Sequence, residues 1–375
     1  MKNHIYADNA ATTKLEYAAF TAMTPWLLES YGNASQPYAF ARDPKKALTQ
    51  SREMIASCIG ASSEEIFFTS GGTESNNWVI KSLMCTSQEN RAMITTAFEH
   101  NAILRSCEFI ERMGCSVSYI YPSNDGYILP EDLEQVITKQ TRLVSVMYAN
   151  NEIGSIQSIQ KLSRITHSHG VLFHTDAVQA VGHVEVDVDK LGIDYLSASA
   201  HKFNGPKGVG FLYINKNALL PPFIHGGTQE NSLRAGTENI ASIVGMATAL
   251  KINCEQLEEN KLHILNLEKH LLSKLNAIGI EYIRNGGQNT LPGLISLSFP
   301  GKDGEAILHR MDLMGISIST GSACDSVNTE ISHVLRSIHL DENYAKGTIR
   351  ISLGKNNTED DVEKIVMGLS KILKK

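Results

Sequence analysis

The sequence predicts an α/β protein built on a mostly parallel sheet, with a smaller α+β lobe toward its end. Three observations predict this. Between about residues 50 and 215, short apolar strands alternate with amphipathic helical stretches, the βαβα order that gives a parallel sheet with helices on both faces. Several of those strands are near-continuous apolar or β-branched runs, as strands covered on both sides require. Late in the chain the pattern changes to strands and short helices without that alternation.

In chain order the strand candidates are EIFFTS, AMITTA, VSYIYP, LVSVMYA, VLFHTDA, DYLSASA and VGFLYIN, with helical patterns such as PEDLEQVITK and SIQKLSRITHSHG between them. From Ala241 to about Ala277 runs a Leu-, Glu-, Lys- and Asn-rich stretch with no Pro, and no Gly after Gly245, which reads as one or two long helices. Beyond it, ISLSFP and ISIST read as strands, HVLRSI as a short helix, TIRISLG as a strand and TEDDVEKIVMGLSKILKK as a terminal helix. The expected division is a large domain over 15–255 and a small one made of 1–14 plus 256–375.

The 375 residues are 42% hydrophobic and 20% charged, enough to bury a sizeable core. A formal charge of −6 argues against a nucleic-acid binder, which would carry a basic excess. The N-terminus MKNHIYADNAATTK lacks the apolar run of a secretory signal, and no stretch approaches a membrane span. Six cysteines, at 58, 85, 107, 115, 254 and 324, show no paired spacing, so reduced thiols in a cytoplasmic protein are expected. Five sit in segments where a cysteine is ordinary filler. Cys324 differs: STGSACDS surrounds it with small residues, as an accessible, bending stretch would.

In open α/β sheets, ligands bind beyond the carboxyl ends of the strands, and the polar motifs fall there. FTSGGTESNN is a strand, a glycine turn and a helix start. With Gly72 and Thr73 it suits an anion, since backbone N–H groups and the helix dipole favour a phosphate; an ordinary capped turn is the alternative. Asp176 follows the buried strand of FHTDAVQ and needs a partner, such as a protonated heterocyclic nitrogen, unless it is a helix N-cap. Lys202, in SASAHKFNGPKG, lies between an apolar strand and a glycine turn. Desolvation there would lower its pKa and make it a Schiff-base nucleophile; a solvated surface lysine is the commoner fate. His100 in AFEHNA could stack on a ring or simply cap a helix. His167, His169 and His174 near Asp176 could suggest a metal site, but His167 and His169 read as helix-terminal and His174 lies on a separate strand, so none is expected there. Taken together, an acid, a phosphate cradle, a ring-stacking histidine and a Schiff-base lysine are the parts that pyridoxal phosphate needs.

At this point the chain resembles the cysteine desulfurases, within the class V aminotransferase branch of pyridoxal-phosphate enzymes. The likeness runs nearly end to end: YADNAATT, FTSGGTESNN, TAFEHNA, YANNEIG, FHTDAVQ, SASAHKFNGPKG, GGTQENSLRAGTEN, STGSACDS and TIRISLG. It implies the type I fold of pyridoxal-phosphate transferases and a set of roles. Lys202 would carry the cofactor, Asp176 would pair with its ring nitrogen, His100 would stack on the ring and move protons, and Gln179 would bond the ring's phenolic oxygen. Gly72, Thr73, Ser199 and His201 would hold the phosphate. Thr237 would be lent by a partner subunit, making a homodimer with shared active sites. Asn33, Asn151 and Arg350 would bind the carboxylate of L-cysteine, Arg350 in a bidentate pair, and Asn151 would also contact the cofactor. Cys324 would attack the substrate sulfur and become a persulfide, leaving alanine, on a loop that must reach inward and then out to an acceptor. That acceptor would be an iron–sulfur scaffold or a tRNA-thiolation enzyme. No resident metal is expected, although Cys324 is a candidate transient iron–sulfur ligand.

Three departures stand out. Asp325 follows the cysteine where relatives usually carry Thr or Ala, and its carboxylate should disfavour the thiolate. Tyr38 stands where relatives often have His, and Ala34 where they have Pro. The rival readings are an aminotransferase or a selenocysteine lyase of the same fold and, in another class, a non-catalytic redox or cluster-carrier protein built on Cys324. Transamination has no use for Cys324, and the last reading leaves Lys202 and Asp176 incidental.

Overall fold

The computed structural model describes residues 4–86, 91–320 and 331–374. Strand β1 (Ile5–Tyr6) is followed by helices α1 (Tyr17–Leu28) and α2 (Arg42–Ile59). Helix α2 stops at Gly60, whose φ of +69° is a left-handed cap that a glycine adopts without strain. The alternating region then supplies β2 (Ile66–Thr69), α3 (Gly72–Thr86), β3 (Ala92–Thr96), α4 (Asn101–Arg112) and β4 (Ser116–Ile120). It continues with α5 (Pro130–Val136), β5 (Thr141–Ser145), α6 (Ile159–Ser168), β6 (Leu172–Asp176), α7 (Val188–Leu191), β7 (Tyr195–Ser199) and β8 (Gly210–Ile214). All seven strand candidates of this region form strands.

They build one sheet in the order β2-β8-β7-β6-β5-β3-β4. Strands β4, β3, β5, β6 and β7 are mutually parallel, and β8 is antiparallel to both β7 and β2. Six of the seven strands therefore point the same way, and their carboxyl ends share one edge. Neighbouring residues on a strand face opposite sides of it, and here both sides are buried. Phe68, Ile94, Val144, Leu196 and Phe211 join one core, while Phe67, Met93, Leu143, Tyr195 and Leu212 join the other. The near-continuous apolar runs follow from this double coverage.

The long helical stretch is two helices, α8 (Ile240–Glu255) and α9 (Leu257–Ala277). Next come β9 (Ile283–Asn285), β10 (Leu294–Ser298), α10 (Gly304–Asp312), β11 (Ile316–Ser317), α11 (His333–Ser337), α12 (Glu342–Ala345), β12 (Thr348–Ser352) and α13 (Glu359–Leu373). Strands β12, β10 and β9 form an antiparallel sheet, and β1 pairs in parallel with β11. This region has its own core, in which Leu271, Ile295, Leu297, Met311, Ile349, Ile351 and Leu369 are fully buried. Residues 7–10 run along β12, with Asn9 N–H donating to Ser352 O at 3.1 Å and Ser352 N–H to Ala7 O at 2.8 Å.

Candidate active site at the carboxyl edge of the sheet

The strand ends converge on a cavity of about 350 Å³. Into it open Gly72 and Thr73 after β2, His100 after β3, Asn151 after β5, and Asp176 and Gln179 at the end of β6. Ser199, His201 and Lys202 follow β7, and Arg350 of β12 closes the opposite side. Asn33 and Thr237 do not line it. Asn33 lies in the loop after α1, where its side chain accepts the Ser35 N–H at 2.9 Å, and Thr237 is exposed. Cys324 and Asp325 lie outside the described residues.

Asp176 ends a strand whose last four residues are buried, and it is itself 5% exposed. Its Oδ2 accepts from Asn76 Nδ2 at 2.6 Å and its Oδ1 from the Val178 N–H at 3.0 Å. Both donors are neutral. A buried carboxylate that accepts from neutral donors among the described residues is a fitting counter-charge for a protonated ring nitrogen. Nearby, α3 starts at Gly72, where a Cβ would overlap Val178 Cγ2, so only glycine lets the helix N-terminus come this close to the loop after β6. Free N–H groups at that end and the Ser199 hydroxyl suit a phosphate. Charge, cradle and lysine therefore fit a pyridoxal phosphate.

Lys202 sits in a 3₁₀ turn directly after β7. Its Nζ donates to the carbonyls of Ala10 and Ala11 at 2.6 and 3.0 Å, and Gln179 Nε2 donates to the same Ala10 carbonyl at 3.0 Å. The lysine backbone is fixed as well, because its carbonyl bonds His183 Nε2 at 2.8 Å. His201 Nδ1 lies 3.1 Å from Thr12 Oγ1, and burial, with help from Lys202, pushes its imidazole pKa down to about 4. It is neutral at physiological pH.

His100 both caps α4 and borders the cavity. Its Nδ1 accepts the Ala102 N–H at 3.1 Å, which puts the proton of the neutral ring on Nε2. Burial lowers its pKa; the Asp176 charge works against that shift and Lys202 reinforces it. Beside it, Glu99 is wholly buried. Its Oε1 accepts from Thr96 Oγ1 and the Met147 N–H, both at 2.8 Å, and desolvation raises its carboxyl to about 8.

His167 lies in α6 and His174 in β6. His174 is buried between Ser145 Oγ and Ser197 Oγ, whereas His167 pairs with Asp194 at the surface. Sequence reasoning did not single out Asn76, Glu99 or Asp8. Asn76 lies one helical turn beyond Gly72 on the same face, a spacing that could have marked it. Glu99 has a local partner in Thr96, but its bond to Met147 and the bond of Asp8 to Arg350 are distant contacts that leave no local signature.

The aminotransferase class-V family matches residues 5–365. This chain is a member of that family, in its cysteine desulfurase branch. A cysteine desulfurase IscS of Dictyoglomus turgidum is 44% identical over all of this chain and 96% of its own length. A solved structure described as a NifS-like protein superposes with a TM-score of 0.93 at 37% identity, covering 99% of both chains. Another, of SspA in complex with cysteine, superposes with a TM-score of 0.84 at 34% identity over 94% of this chain and all of that one. The fold is thus the type I fold of pyridoxal-phosphate-dependent transferases.

Proposed function

We propose that this protein is a cysteine desulfurase that converts L-cysteine to L-alanine and takes the substrate sulfur onto Cys324 as a persulfide. The reading is carried by one observation: Lys202, Asp176 and Arg350, a nucleophilic amine, a buried anion and a fixed cation, border the same cavity. The relatives' names and the STGSACDS motif support the sulfur chemistry.

Pyridoxal phosphate would be held covalently by Lys202 Nζ, at its ring nitrogen by Asp176, at its phenolic oxygen by Gln179, and at its phosphate by Gly72, Thr73, Ser199 and His201, with Thr237 reaching in from a second subunit. When bound, it supplies an electron sink that makes the substrate Cα proton acidic. Lys202 Nζ, once released, is the base for that proton, and the carbonyls of Ala10 and Ala11 hold it at the strand end beforehand. His100 presents Nε2–H to the cavity and orients the ring by stacking. Arg350, with Asn151, holds the substrate carboxylate, so that the Cα–H bond faces the lysine. The Cys324 thiolate attacks the substrate sulfur; the S–S bond forms as the Cβ–S bond breaks, and Cβ takes a proton. L-cysteine and one thiol give alanine and one persulfide, so no external oxidant is needed.

The assembly would be a cytoplasmic homodimer. Thr237 is exposed and away from its own cavity, and α1 turns Tyr17, Phe20 and Leu28 outward. Large domain 15–255 would hold the cofactor and 1–14 plus 256–375 would carry Cys324. The persulfide would pass to an acceptor protein, an iron–sulfur scaffold or a tRNA-thiolation enzyme. Incubating the purified protein with L-cysteine and quantifying alanine against sulfide tests the reading. Equal alanine and reducible sulfur are expected, and a Cys324→Ser variant should lose the sulfur transfer. With a 2-oxo acid added as amino acceptor, formation of 3-mercaptopyruvate from L-cysteine unaffected by Cys324→Ser would overturn it in favour of a transaminase.

A further inference from the structure

We propose that Asp8 is a positioning residue for substrate recognition, keeping the Arg350 guanidinium ordered at the cavity wall; the inference rests on the proposed carboxylate role of Arg350. Arg350 is 4% exposed and is gripped at both terminal nitrogens. Its Nη2 donates to Asp8 Oδ1 at 2.7 Å, and its Nη1 donates to the Asn151 carbonyl at 2.8 Å. Its Nε is buried and has no partner among the described residues. An unmet buried N–H on a fully charged group is costly unless a ligand supplies the acceptor. Among the described residues, two of the five guanidinium N–H groups are taken, by Asp8 and Asn151, which leaves Nε–H and one hydrogen on each terminal nitrogen for the oxygens of a carboxylate.

Asp8 can hold the guanidinium because its own backbone is fixed on several sides. It bridges to Ser352, two residues along β12 from Arg350, and its carbonyl accepts from Tyr6 Oη at 3.0 Å. Three residues further, Ala11 O accepts from Lys202 Nζ, as does Ala10 O. One short N-terminal segment thus places both the arginine and the lysine. Without Asp8 the guanidinium would keep, among the described residues, the Asn151 carbonyl alone and could rotate, so the substrate carboxylate would have to order it on binding.

The test uses the cofactor-loaded enzyme with Asp8→Ala and Asp8→Asn, reading kcat and KM for L-cysteine. It also reads the affinities for L-alanine and for ethylamine, which lacks the carboxylate, from the absorbance of the bound cofactor. Asp8→Ala should raise KM and weaken L-alanine binding by roughly tenfold or more while kcat changes less than about twofold, the loss expected for a charge-assisted hydrogen bond. Asp8→Asn, which keeps an acceptor, should recover most of the loss, and ethylamine affinity should be unchanged in both. The proposal is overturned if ethylamine affinity falls as far as that of L-alanine, if kcat falls with KM unchanged, or if Asp8→Asn is no better than Asp8→Ala. Should Asp8→Ala fail to fold, Asp8→Asn decides alone, with a smaller rise in KM expected and none contradicting. A wild-type enzyme that forms no alanine from L-cysteine would sink the functional reading, while the L-alanine and ethylamine comparison would still judge Asp8.

Discussion

The cavity has a floor and a wall of different construction. On the floor, Gly72, His100, Asp176 and Lys202 each lie within a few residues of the carboxyl end of a strand of the large sheet. The sheet alone brings them together. On the wall, Arg350 comes from the small antiparallel sheet and is held by Asp8, 342 residues away in the chain, and by the carbonyl of Asn151. The floor is a property of one sheet edge; the wall exists only once β1, β12 and the loop after β5 have docked. Cofactor chemistry should therefore depend on the floor, and substrate affinity on the wall.

The largest effect tests the floor. Lys202→Ala should lower alanine formation by roughly 10³-fold or more, since it removes both the proposed attachment point and the proposed base. Steady-state kinetics with added cofactor check it, and a variant retaining a tenth of wild-type activity would remove Lys202 from the chemistry. Asp176→Asn comes next. It keeps a hydrogen bond to Val178 but not the charge, and should cost on the order of a hundredfold in kcat, with a changed absorbance of the bound cofactor as the independent sign.

The wall should respond differently. Arg350→Lys loses the planar fork and should raise KM for L-cysteine by roughly ten- to a hundredfold, leaving cofactor absorbance as in wild type. A matching fall in kcat with KM unchanged would erase the distinction between floor and wall.

The smallest effect concerns stability under the floor. Glu99 is held at about 8 by burial, above its value in the unfolded chain. An acid whose folded pKa is raised binds more protons in the native state between the two values, so it costs stability as pH rises through that window. Glu99→Gln should therefore gain stability over wild type between about pH 5 and pH 8, with a slope approaching ~1.4 kcal/mol per pH unit. Urea denaturation at three pH values reads it. A difference independent of pH would mean that Glu99 is ionised in the folded protein.

The same contrast decides what the sequence discloses. All seven strands of the large sheet and each floor residue are legible, because a doubly covered strand is an apolar run and its functional residue follows within a short motif. FHTDAVQ carries Asp176 and SASAHKFNGPKG carries Lys202. Arg350 could be assigned only through family resemblance, since TIRISLG alone is a strand with one buried cation. Its pairing with Asp8 is a tertiary contact that no local spacing encodes. Glu99 is similar: its neighbour His100 stood out as chemistry, while the buried carboxyl beside it, bonded to Met147 and Thr96, left no pattern.

The attachment of the cofactor to Lys202 is tested most directly by reducing the loaded enzyme with borohydride and mapping the pyridoxyl label by peptide mass spectrometry. The account predicts a single labelled site at Lys202, lost in Lys202→Ala. A label on another lysine, or none on a protein that still yields alanine from L-cysteine, would contradict it.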